Sequence, residues 1–187
     1  MVSRNNNDGD TLELDVLELF CAWPETSLKL VLDCVASDDP GTRLVGLWGL
    51  SIIDFGGTKY FGLVADAVCD PEPWVRADVM STLSTIFGTG DPSRARALLI
   101  TGTDDAAPEV RSAAVAALGS SRDDMVTDIL VARADDVDPG VRYGLAWSLA
   151  RRPASKARAA LERLTTDEDA DVRDAARKVL GVPPSSL

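Results

Sequence analysis

The sequence predicts an all-α chain of about five helix pairs stacked side by side, and three observations predict it. Aligning the chain on Arg43, Arg76, Arg111, Arg142 and Arg173 gives steps of 33, 35, 31 and 31 residues, so one segment recurs. Seven residues past each arginine stands a leucine: Leu50, Leu83, Leu118, Leu149 and Leu180. Three residues before it stands Pro40, Pro73, Pro108 or Pro139, with Ala170 in the last copy.

Each column has a physical reading. Proline fixes φ near the helical value and lacks an N–H that would have no partner in the first turn, so it marks a helix start. Acidic residues crowd the approach (Asp39, Asp70, Glu72, Asp105, Asp136, Asp138, Asp167, Asp169). Carboxylates there cap free N–H groups and suit the positive end of the helix dipole. The residue before each arginine is Val75, Val110, Val141 or Val172, with Thr42 as the exception. It lies near the leucine on one helix face, with Gly46, Val79, Ala114, Leu145 and Ala176 between them. That face is the expected core stripe.

Taken in order, residues 1–9 read as a disordered tail, because they are polar and terminal. Residues 10–23 carry Leu12, Leu14, Val16, Leu17, Leu19 and Phe20 and are expected to form a helix that covers the end of the stack. The first pair is predicted as helices 25–37 and 40–54, stopped by Gly56-Gly57. The second runs 58–69 and 72–87, closed by Gly88-Thr89-Gly90, and the third runs 92–103 and 107–119. The fourth is 122–134 and 138–152, broken by Pro153; the fifth is 154–166 and 169–180, ended by Gly181-Val182-Pro183-Pro184. The repeats are therefore about 24–56, 57–90, 91–121, 122–152 and 153–181, with a tail at 182–187.

The D-P-x-x-R or P-x-V-R start, followed by a small-residue helix ending in leucine, resembles the short-repeat HEAT proteins of bacteria, the type similar to the HEAT-like repeats of phycobilin lyases. The resemblance covers roughly residues 24–181. It implies a right-handed α-α superhelix in which the second helices of successive repeats line the concave side. The period is shorter than the usual HEAT length of about 40 to 47 residues. Tetratricopeptide and ankyrin arrays fit the period, but their signature residues are missing.

A helix turns 100° per residue, so the face opposite the stripe falls one and five residues past each arginine. Those positions hold Leu44, Ala77, Ser112, Tyr143 and Asp174, then Trp48, Ser81, Ala116, Trp147 and Lys178. Leu44, Trp48, Trp74, Ser81, Tyr143 and Trp147 are accordingly the candidate binding residues, since exposed aromatics concentrate binding energy. The competing reading is that adjacent repeats bury them against one another. For the arginines, an anion-binding ladder competes with a structural one, in which each guanidinium forks onto the acidic turn of its own or the neighbouring repeat. The structural ladder is favoured, because carboxylates are at hand and Arg suits bidentate pairing.

The net charge is -11, and the front half carries most of it, with 14 acidic and 5 basic residues in 1–90. Such a field repels phosphate backbones and attracts basic chains. Arg151, Arg152, Lys156 and Arg158 form one local basic cluster. There is no histidine, which excludes histidine triads, histidine-ligated metals and imidazole acid-base catalysis. No phosphate-binding glycine loop or C-x-x-C occurs, and no apolar run approaches the length of a membrane span. Three cysteines (Cys21, Cys34, Cys69) at irregular spacing read as reduced, mostly buried thiols. The expectation is a cytoplasmic, non-catalytic scaffold, adaptor or inhibitor with no cofactor or metal, binding a protein or peptide for which a basic sequence suits the charge; the sequence leaves the oligomeric state open, with a monomer slightly favoured. The alternatives are a bilin-handling subunit, which the resemblance implies, and a nucleic-acid-binding HEAT-like protein, for which the charge has the wrong sign.

Overall fold

A computed structural model describes residues 24–53, 59–89, 92–121, 125–152 and 155–182. The expected tail 1–9, the covering helix 10–23 with Cys21 and Trp23, and the residues beyond Val182 lie outside them. All regular structure among the described residues is helical. The chain divides into two compact units, Met1–Phe55 and Gly56–Leu187.

The first unit contains α1 (Pro24–Val35) and α2 (Pro40–Ile53). Asp39 starts α2: its carboxylate accepts from the Thr42 amide at 2.7 Å and the Thr42 hydroxyl at 2.8 Å. Glycine lets the two helices close on each other. A Cβ on Gly46 would stand 2.5 Å from the Val35 amide nitrogen, and one on Gly49 2.8 Å from a Val31 methyl. Val31, Leu47 and Leu50 are the buried apolar side chains among the described residues of this unit.

The second unit holds α3 (Phe61–Asp66), continued by a 3-10 turn over Ala67–Cys69, then α4 (Pro73–Thr89), α5 (Pro92–Gly102) and α6 (Pro108–Gly119). It goes on through α7 (Met125–Val131), α8 (Pro139–Leu149), α9 (Ser155–Leu164) and α10 (Ala170–Leu180). The second helix of each pair begins at the proline column, or at Ala170, as the missing N–H favours. Asp138 caps α8 through the Val141 amide, and Asp169 caps α10 through the amides of Asp171 and Val172. Gly181 ends α10 at φ 68°, in the left-handed region where a Cβ is unwelcome.

Several boundaries differ from the periodic reading. Helix α4 continues through Gly88 and Thr89, which were expected to form a loop. Helix α7 stops at Val131 rather than 134, because the amides of Arg133 and Ala134 turn to carbonyls three residues back and tighten the chain. The 3-10 turn at Ala67–Cys69 likewise leaves Cys69 exposed, and Cys34 is only half-buried, so neither described thiol is a core residue.

The core of this unit is the predicted stripe. Val75, Val110, Val141 and Val172 are fully buried, as are Ala114, Leu145, Ala176, Leu83, Leu118 and Leu149. Leu180, in the last helix, is half-buried. Within the unit the second helices α4, α6, α8 and α10 pack closely, each on the next, whereas adjacent first helices touch much less. Small residues make this possible: a Cβ on Gly119 would meet the Cα, Cβ and Oγ of Ser148 at 3.0 Å or less.

Candidate functional site: an aromatic helix face above a buried ion-pair ladder

The ladder positions the face, and it is built from two columns. Six residues before each arginine stands Ser37, Asp70, Asp105, Asp136 or Asp167. Each folds its turn by accepting the amide two residues on, as in Asp105 with Ala107 (2.8 Å), Asp136 with Asp138 (2.9 Å) and Asp167 with Asp169 (2.9 Å). This is the local hydrogen bonding that aspartate provides in turns.

Within the second unit Arg76, Arg111 and Arg142 join these turns, each guanidinium dividing its donors between two repeats. Arg111 gives Nη1 to the carbonyls of Asp105 and Ala106 in its own turn, and Nε and Nη2 to both oxygens of Asp136 in the next, at 2.8 and 2.7 Å. Arg76 does the same with Asp105, and Arg142 with Asp167. Arg43 and Arg173 donate to the carbonyls of their own turns. The carboxylates are nearly dry, with side-chain exposures of 15, 6 and 8% for Asp105, Asp136 and Asp167.

The electrostatics follow from that geometry. Hydrogen bonds from Arg76 hold the Asp105 carboxyl below its usual range, and those from Arg142 do the same for Asp167. At Asp136 burial pushes upward, and the Arg111 hydrogen bonds together with the Asp138 amide outweigh it, so the net direction is again down. Arg76, Arg111 and Arg142 thus spend their donors on the turns that precede α4, α6, α8 and α10.

On the far side of those helices from the core, Trp74, Tyr143 and Trp147 are 42, 42 and 39% exposed. Ser81 is exposed too, and the positions between the aromatics are small: Ala77, Ser112, Ala116 and Gly140. Trp147 and Tyr143 make an edge-to-face pair, with ring centroids 6.3 Å apart at 68°, and the Lys178 Nζ lies 5.4 Å from the Trp147 centroid. Beside Tyr143, an open depression of about 440 Å³ is lined by Pro139, Gly140, Tyr143, Asp169 and Asp171. In the first unit Trp48 is 38% exposed and Leu44 half-buried, at the same register positions on α2.

The structure accounts differently for the basic cluster. Arg152 turns inward and donates to the Thr127 hydroxyl and to the carbonyls of Leu118 and Ser121, closing the C-terminal end of α6. Lys156 reaches across to Asp128 at 2.8 Å, and Arg158 pairs with Glu162 one turn on. Asp171 and Lys178 were not singled out as binding residues from sequence. The signal for Lys178 was its place in the same column as Trp147; that for Asp171 was its place in the column of Trp74. Among the described residues no group of three or more Cys, Asp or Glu is placed to hold a metal ion, and no helix is long and apolar enough to cross a membrane.

Comparison with known proteins finds likeness in sequence over part of the chain and in fold over nearly all of it. The family model described as HEAT repeats matches residues 97–181. No curated protein matches the chain. Among solved structures, a designed armadillo repeat protein in complex with the peptide (KR)4 is similar over 94% of this chain and 95% of its own, at 16% identity and a TM-score of 0.58. An engineered protein is similar over 95% and 92% at 15% identity and a TM-score of 0.55, and another over 95% and 93% at 16% and 0.54. The chain is thus similar to HEAT repeats over residues 97–181, and it has the all-α repeat fold of HEAT and armadillo proteins.

Proposed function

We propose that the chain is a non-catalytic module that takes a protein or peptide onto its second-helix face, and that the segment it takes is basic. The observation that carries this reading is the exposure of Trp74, Tyr143 and Trp147 on the face turned away from the core, with small residues between them. Aromatic side chains left in water at the centre of a surface are the usual anchors of an interface, and the small residues leave room for a ligand backbone. Leu44 and Trp48 are proposed as the anchors of the first unit.

Charge supports a basic ligand. The net charge of -11 attracts cationic segments over a distance, and Glu109, Asp169, Asp171 and Asp174 stand at the start of the helices that carry the face. The similar designed armadillo structure is in complex with an alternating lysine and arginine peptide. The odd cysteine count fits a reducing, cytoplasmic setting.

The test is calorimetric titration of the purified protein with (KR)4 and with an alternating Glu-Asp octapeptide. The basic peptide binds and the acidic one does not, and Trp147→Ala weakens binding roughly 30-fold, the loss of a hot-spot aromatic. Equal binding of both peptides, or a Trp147→Ala variant that binds as the wild type does, would refute the proposal.

A further inference from the structure

The Trp147 ring is already occupied, and by a cation. Lys178 comes from α10, the helix next to the one bearing Trp147, and its Nζ sits 5.4 Å from the indole centroid. The chain has more acidic than basic residues, 30 against 19, and Asp174 lies one turn back on the same helix. Lys178 nevertheless forms no ion pair among the described residues. An ammonium with carboxylates within reach of its helix lies on an aromatic face instead, where the ring quadrupole attracts it.

The rest of the surroundings fit a cation as well. Tyr143 packs edge-to-face with Trp147, beside the seat. Tyr143 also lines the depression with Asp169 and Asp171, and Asp171 is exposed. A ligand carboxylate drawn to Lys178 would enter beside Asp171 and Asp174, which repel it. A basic side chain meets no such penalty once Lys178 has swung aside.

We propose that the Trp147 face is a seat for one lysine or arginine side chain of the ligand, that Lys178 fills this seat in the free protein, and that binding displaces it. The inference rests on the basic-peptide reading above. Lys178 then acts as an internal competitor: it holds the cation position over the partly exposed indole when no ligand is present and sets a threshold that weakly basic segments do not pass. The neighbouring depression receives the charge that follows along the ligand.

Nuclear magnetic resonance of the free protein tests the seat without any ligand. The Lys178 ε-methylene protons are expected upfield from ring current, and the shift is expected to vanish in Trp147→Leu. An unshifted Lys178 overturns the proposal whatever the protein binds. Titration with (KR)4 tests displacement: Lys178→Ala binds about two- to fivefold tighter, and the Lys178 protons lose their shift as the peptide is added. The gain must depend on the ring, so in a Trp147→Leu background Lys178→Ala changes affinity less. An equal gain there leaves only relief of like-charge repulsion and overturns the seat. Tighter binding of the acidic octapeptide by wild type than by Lys178→Ala overturns it too. A shifted Lys178 with no binding of (KR)4 to any variant removes the basic-peptide reading, and this inference with it.

Discussion

The central rung of the ladder offers the sharpest test of what holds the repeats together. Asp136→Ala removes the acceptor of Arg111 Nε and Nη2 at 2.8 and 2.7 Å, in a pair whose side chains are 11 and 6% exposed. It also frees the Asp138 amide, which Asp136 holds at 2.9 Å. A buried charge left without its partner costs about 3 to 5 kcal/mol, far more than the pair contributes over an apolar replacement. The control is Asp128→Ala. Asp128 pairs with Lys156 at a similar distance, but both side chains are more than 60% exposed. An exposed pair of that kind is worth about 0 to 1 kcal/mol. Urea denaturation followed by circular dichroism measures both. The double variant Arg111→Met/Asp136→Ala recovers most of the loss, because it removes the stranded guanidinium as well. If Asp136→Ala costs no more than Asp128→Ala, or the double variant is worse than either single one, the ladder does not hold the stack.

Acid gives a second view of the same rungs. The carboxyls of Asp105, Asp136 and Asp167 lie below their ordinary value of 3.8 in the folded chain, so their contribution is fully present above about pH 4 and is lost as pH falls through the folded values. Circular dichroism against pH shows an acid transition below pH 4, and it is shallower in Asp136→Ala. Gly119→Ala sets a Cβ 3.0 Å or closer to the Cα, Cβ and Oγ of Ser148 and costs about 1 to 3 kcal/mol, whereas Gly62→Ala meets nothing within 4 Å and stabilises by about 0.5 to 1 kcal/mol. Thermal melts distinguish these opposite signs. Leu118→Ala truncates a fully buried side chain and costs about 2 to 5 kcal/mol, and Leu180→Ala, half-buried at the last helix, costs much less on the same urea curves.

The parts of the fold that follow from local chemistry were legible in the sequence. Proline sets the first turn of α4, α6 and α8 wherever they pack, and the three-four spacing of Val141, Leu145 and Leu149 can bury only one side of its helix. The same rotation put Tyr143 and Trp147 on the opposite side, where both are partly exposed. What depended on the neighbouring repeat was harder to read. The arginines were seen to need carboxylates, but eight acidic residues stood near the turns, and nothing local separates Asp136, which receives Arg111, from Asp138, which caps α8. The strict spacing of Asp70, Asp105, Asp136 and Asp167 was the available signal. Arg152 read only as part of a local basic cluster because its acceptors, Thr127 and the carbonyls of Leu118 and Ser121, lie 25 to 34 residues away along the chain. Lys178 met the same limit, since its ring partner is on another helix.

The dryness of the Arg–Asp rungs separates two uses of charge in one molecule. Dissolved ions act on exposed charges beyond about 8 Å at physiological ionic strength and reach buried pairs poorly. Raising sodium chloride therefore leaves the unfolding midpoint nearly fixed while it slows the encounter with a cationic ligand. Ionic strength becomes a dial that turns recognition down and leaves the architecture alone.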